Sequence, residues 1–201
     1  MSGGTRTGKT SAAEADVAAL RDLRGNGLQI VSPEVTRDGF EAASAVLEGV
    51  SVQPAECSAV AARNAGSVNQ FAGEGVIGAG VADEQGSVLS AGLLDGSRVT
   101  GPAGDFEGTR AQLQRCASFT VSGATLTTVE EIPQDPIADA SYAVLITQQL
   151  GAGQFQYTLS VNARSNDLIA SVQSMGTVEP DGVLQDELAD LATQLLEGPA
   201  S

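Results

Sequence analysis

The chain has no histidine, no tryptophan, a single lysine and only two cysteines in 201 residues. Without histidine it lacks the usual general base, the usual activator of a nucleophile and the commonest metal ligand. Cys57 and Cys116 lie too far apart for a C-x-x-C redox motif or a metal box. The job left for them is one disulfide, which needs an oxidising compartment; two unrelated buried thiols are the alternative. No apolar run is long enough to span a bilayer, and no signal peptide opens the chain. Aromatic residues make up 3% of the chain against 42% hydrophobic residues overall, so a core must be built from Val, Leu, Ile and Ala. A link from Cys57 to Cys116 would supply such a core with about 4 kcal/mol in the chain-entropy account.

Positive charge is also scarce. The net charge is −15, from 10 basic and 25 acidic residues. Nucleic acid needs clustered Lys and Arg, so it is not an expected partner, and an anionic membrane surface would repel the domain. The first ten residues run against this trend, with Arg6 and Lys9 and no acid. Residues 1–12 read as a flexible tether of small and polar residues, and 13–198 as a single domain. If the protein is exported, a signal peptide is expected upstream of Met1. The small tether resembles the stretch after a lipidated Cys in exported bacterial lipoproteins, so any membrane attachment is expected through a lipid that this chain does not carry.

Periodicity then locates the elements. Val17, Leu20 and Leu23 predict a helix over 13–24, stopped by Gly25-Asn26-Gly27. Ser32-Pro33-Glu34 reads as a helix start, followed by the stripe Phe40, Ala43, Val46 and Leu47. Pro54 opens a short helix that carries Cys57 to about Arg63. Strands are predicted over 76–81 and 87–94 around the turn Asp83-Glu84-Gln85-Gly86, with a Gly- and Pro-rich loop over 95–104. A short helix over 105–115 ends at Cys116. Strands over 119–122 and 125–132 flank a turn at Gly123-Ala124. Strands over 142–150, 155–163 and 168–175 follow, of which Phe155 to Ala163 alternates without error. Asp181 caps a final helix with the stripe Leu184, Leu188, Leu191 and Leu195, ended by Gly198-Pro199. The fold class is α+β: an antiparallel sheet of about six strands covered by helices, closed by a C-terminal amphipathic helix.

Gly3-Gly4-Thr5-Arg6-Thr7-Gly8-Lys9-Thr10 matches the phosphate-loop pattern letter for letter. That loop works only when an apolar strand delivers its backbone N–H groups to phosphate at a helix N-terminus. Only Met1 and Ser2 precede it, so composition accounts for the match. There is no Gly-x-Ser-x-Gly elbow, and no Ser-His-Asp triad can form without histidine. A pair of acids could hydrolyse a glycoside, but nothing selects two among 25. Glu179, Asp181, Asp186, Glu187 and Asp190 gather near the last helix, where a solvated face with favourable first-turn charge competes with a calcium site. The oxygen-ligand spacing of calcium loops is absent. No cofactor and no catalysis are expected.

The polar row Gln154, Gln156, Thr158, Ser160 and Asn162 either lines a ligand groove or is the wet face of a sheet. Tyr142 and Tyr157 are half-buried core or binding handles. The candidate ligand-contacting set is Tyr142, Tyr157, Gln156, Thr158 and Ser160, either on the uncovered side of the sheet or in a groove between helix and sheet.

Pro54-Ala55-Glu56-Cys57 opens a helix, Gln114-Arg115-Cys116 closes another ahead of the strand Ala117 to Val121, and Val161 to Ile169 is a strand, polar turn and strand. In this order, over roughly residues 28–197, the chain resembles the extracellular sensor-like domain of mycobacterial transmembrane serine/threonine kinases and related actinobacterial lipoproteins. It differs from the kinase sensors in having one Cys pair rather than two and no Trp. The resemblance implies a helix-covered antiparallel sheet with an apolar-lined groove, a disulfide pinning a helix, and attachment at the cell surface. It also implies binding or sensing without known catalysis. The expected function is therefore a cell-envelope domain, lipid-anchored or secreted, that binds a small apolar ligand or an envelope protein. A structural or protein–protein interaction module and an acid-only hydrolase are the alternatives.

Overall fold

The alternation of apolar residues along the second half of the chain produces long antiparallel strands, and these organise everything else. The computed structural model describes residues 6–32, 34, 35, 38, 41, 49–65, 75–97, 105–122 and 125–198. Its long strands are β3 (Gly75–Val81), β4 (Val88–Asp95), β6 (Thr125–Ile132), β7 (Ala140–Gly151), β8 (Gln154–Ser165) and β9 (Leu168–Gly176). The short ones are β1 (Gln29–Ile30), β2 (Val52–Gln53) and β5 (Ser118–Val121). All nine join one antiparallel sheet in the order β1-β3-β4-β9-β8-β7-β6-β5-β2. The expected count of about six is corrected to nine. The strands not located by periodicity are β1 and β2, two-residue edge strands too short to show any alternation. Short edges also leave little unpaired backbone for another chain to extend.

Four helices are described: α1 (Arg6–Ala19), α2 (Ser58–Ala65), α3 (Phe106–Arg115) and α4 (Gly182–Glu197), with a 3-10 turn at Ala55–Cys57 ahead of α2. They divide between the two faces of the sheet. On one face α1 and α4 cover β3, β4, β9 and β8. Val17 and Leu20 pack there with Leu89, Leu93, Leu159 and Val161, and the α4 stripe closes the cluster with Leu188, Leu191 and Leu195. On the other face the 3-10 turn, α2 and α3 lie toward the β5–β7 end. Val60 and Leu113 there meet Phe119, Val129, Val144 and Ile146.

Helix starts follow their caps. The Asp105 carboxylate accepts the Gly108 N–H at 2.9 Å, and the Asp181 carboxylate accepts the Leu184 N–H at 3.0 Å. The first helix differs from expectation. It runs from Arg6 to Ala19 rather than over 13–24, so residues 6–12 of the expected tether are helical, Gly8-Lys9-Thr10 included. It stops early because Asp22 turns the chain: its carboxylate accepts the N–H groups of Arg24 at 3.0 Å and Asn26 at 2.8 Å. Arg21 then bridges to Gly27. Residues 1–5, the predicted stripe Phe40, Ala43, Val46 and Leu47, the loop over 98–104 and the turn Gly123-Ala124 lie outside the described residues.

Cys57 ends the 3-10 turn and Cys116 follows the last residue of α3. Their sulfurs are bonded, with the Cα atoms 5.6 Å apart, and both residues are buried. The link ties the α2 segment to the joint between α3 and β5.

Candidate functional site

A strand that alternates presents its odd and even residues to opposite faces. In β8 the odd positions Leu159, Val161 and Ala163 belong to the cluster under α4. Tyr157 shares that face. Gln156, Thr158 and Ser160 are even positions and face the other side, where Thr158 pairs with Ile146 and Ser160 with Val144 and Gln173. All three are half-buried rather than fully wet. Tyr142 is also on that second face. Its ring stands edge-on to Phe106 at 5.1 Å and an interplanar angle of 83°, with the Arg164 guanidinium 5.8 Å from the Phe106 centroid. It belongs to the packing beneath α3. The five candidate residues are therefore not brought together: Tyr142, Gln156, Thr158 and Ser160 share one face, and Tyr157, on the other, lines a cleft.

That cleft encloses about 840 Å³, a volume suited to a small molecule, and lies between the start of α4 and the sheet. Its floor is Ala82, Tyr157, Leu159 and Leu184. One wall is the β3–β4 turn and the other the connection from β9 into α4. Val178 and Val183 stand at the mouth, 51% and 64% exposed. Gly176 permits the closest approach of the walls: a Cβ there would fall on the Ser87 hydroxyl and 2.8 Å from the Ser87 Cβ.

The β3–β4 turn is built by its own acid. Asp83 accepts the Ser87 N–H at 2.9 Å and the Ser87 hydroxyl. Burial by itself would raise the Asp83 carboxyl, but hydrogen bonds from the Ser87 side chain and from the Ser87, Gly86 and Gln85 N–H groups outweigh it, so it titrates below the ordinary value. Arg24 braces the same turn, its guanidinium donating to the carbonyls of Asp83 at 3.2 Å and Glu84 at 2.9 Å. The mouth is acidic: Asp83, Glu84, Glu179, Asp181 and Glu187 face one base, Arg24. These include three of the acids read from the sequence as a solvated face.

Among the described residues no three acids or cysteines are close enough together to hold a metal ion. Among the described residues, hydrogen bonds outweigh burial at Asp22 and Asp83 and hold both carboxyls below the ordinary value. No described helix is long and apolar enough to cross a membrane. Sequence reasoning missed Leu23, Arg24, Ser87, Val178 and Val183 as lining residues. The available signal was Val183, an apolar residue in the first turn of α4 that falls outside the leucine stripe.

No family model and no curated protein matches the chain. Two solved structures are similar to it. One is an uncharacterised Mycobacterium smegmatis protein, the Rv0999 ortholog, at 15% identity and a TM-score of 0.46, covering 85% of this chain and 84% of that one. The other is the extracellular domain of PknH from Mycobacterium tuberculosis, at 15% identity and a TM-score of 0.40, covering 85% of this chain and 97% of that one. The second is an extracellular domain of the mycobacterial kinase group named by the sequence resemblance.

Proposed function

We propose that the chain is a non-catalytic, sensor-like binding domain of the cell envelope, working outside the reducing cytosol and taking a small ligand in the cleft between α4 and the sheet. The observation that carries this reading is the cleft itself, with its leucine, alanine and tyrosine floor and its bare valines at the mouth. Apolar surface left open beside a well-packed core favours an occupant that removes it from water. The bonded Cys57 and Cys116 support the compartment, because such links persist where glutathione and thioredoxin do not reduce them.

Native mass spectrometry of the protein recovered from an envelope or secreted fraction tests this. The expected result is a complex heavier than the bare chain by one small molecule, lost on denaturation and absent in Val183→Trp, which fills the mouth. Thiol titration of the denatured, unreduced protein should find no free group. A bare chain in every preparation, together with two titratable thiols, refutes the reading. A second reading, a protein–protein interaction module, draws on Leu126 and Phe155, which are exposed at 41% and 38% on the same face as the cleft. It predicts a dimer by light scattering that Phe155→Arg dissociates.

A further inference from the structure

We infer that the ligand of the cleft is an organic cation with an apolar body, such as an alkyl amine or quaternary ammonium amphiphile. The inference rests on reading the cleft as a ligand site and adds the chemistry of what enters it.

The apolar floor sets the body of the ligand and the mouth sets its charge. Glu84, Glu179 and Glu187 make no side-chain hydrogen bond or ion pair among the described residues, so their negative charge is uncompensated. Asp83 and Asp181 are engaged by the N–H groups of their own turn and helix cap, which leaves their charge in place. The single base in the lining, Arg24, donates to two carbonyls of the β3–β4 turn and keeps its charge, so five negative charges stand against one positive. A low-dielectric cleft lined by one sign of charge concentrates ligands of the opposite sign. A carboxylate or phosphate headgroup meets repulsion there, and a neutral ligand gains nothing from the carboxylates. A metal ion needs its ligands converged on one point, and no three acids among the described residues converge. A diffuse ring of carboxylates suits a diffuse organic charge. Tyr157 lines the cleft, and an aromatic ring is a group that ammonium ions favour.

The test compares octyltrimethylammonium, 1-octanol and octanoate, one chain length with three headgroups, by isothermal titration calorimetry on the oxidised protein below micelle-forming concentrations. The cation should bind at least about ten-fold more tightly than octanol, and its affinity should fall as salt is raised. Glu179→Gln and Glu187→Gln should each weaken the cation by about five-fold, the attraction of unit charges roughly 4 Å apart in water, and leave octanol unchanged. Val183→Trp should weaken cation and octanol alike, with circular dichroism showing the variants folded. Equal binding of the three ligands, or indifference to the glutamine variants, overturns the cation assignment and leaves the cleft a ligand site. Absence of any binding, or binding that Val183→Trp does not touch, overturns both.

Discussion

At Asp22 one carboxylate closes the corner between α1 and the sheet. It accepts the N–H groups of Arg24 and Asn26 and reaches the Val81 N–H at 3.3 Å, 59 residues along the chain. Burial pushes its pKa up, but the bonds from Asn26, Val81 and Arg24 together bring it below the ordinary value. Asp83, on the turn that Arg24 braces, is shifted in the same direction. Near pH 4 the unfolded chain therefore binds more protons at these two sites than the folded one does. Their contribution to stability is complete above the usual carboxylate pKa of about 3.9 and is lost as the pH falls through the lower folded values. The urea midpoint should drop as the pH is taken below about 4, and in Asp22→Asn/Asp83→Asn that slope should flatten. Parallel pH profiles for the two proteins would contradict the assignment. Asp22 was read as helix interior because ALRDLR keeps a helical period. Its role depends on a strand 59 residues away, which no local pattern announces.

At the scale of elements, the strands with unbroken alternation and the two helices with aspartate caps lie where the periodicity places them, within a residue or two. The edge strands and the true span of α1 were not legible. α1 lies on β3 because Gly78 has no side chain: a Cβ there would stand 2.6 Å from the Val17 Cγ1 and 2.9 Å from the Leu28 Cβ. A glycine-rich strand thus makes room for a helix, and a reading strand by strand sees only missing bulk. The disulfide joins two helical segments on the other face. Removing it in Cys57→Ser/Cys116→Ser should cost about 4 kcal/mol by urea denaturation, the entropy of freeing a loop of 60 residues. Hydrogen exchange should quicken first at Val60 and Leu113, which pack beside the sulfurs, and later at Val161 and Val172 in the central strands. Uniform loosening of the whole sheet would leave only the loop-entropy effect on the unfolded chain and would contradict a local role for the link at Val60 and Leu113.

For the whole molecule, the charge of −15 is a self-repulsion that compact folding concentrates. Raising sodium chloride from about 20 to 200 mM shortens the screening length from roughly 20 Å to 7 Å and should raise the melting temperature. A melting temperature that falls with salt would mean that surface ion pairs dominate. Among the described residues one such pair is seen, Arg110 with Glu131, where the Arg110 Nε donates at 2.7 Å. The same excess of acid gives the cleft its sign, because the folded chain gathers acids from the β3–β4 turn and the start of α4 around one apolar floor.

The amino-acid sequence determined the class of fold, the course of the long strands, the capped helices and the two residues available for a covalent link. These follow from local period, local caps and the count of thiols. Only the tertiary structure decided where the cleft lies. A period of two shows that Tyr157 and Gln156 face opposite ways, but not which of those faces a helix will roof. Docking α4 over the odd positions of β8 brought Tyr157 into the cleft and turned Gln156, Thr158 and Ser160 to the far side of the sheet. Which face is covered depends on the long-range packing of α4, whereas the period of the strand is local.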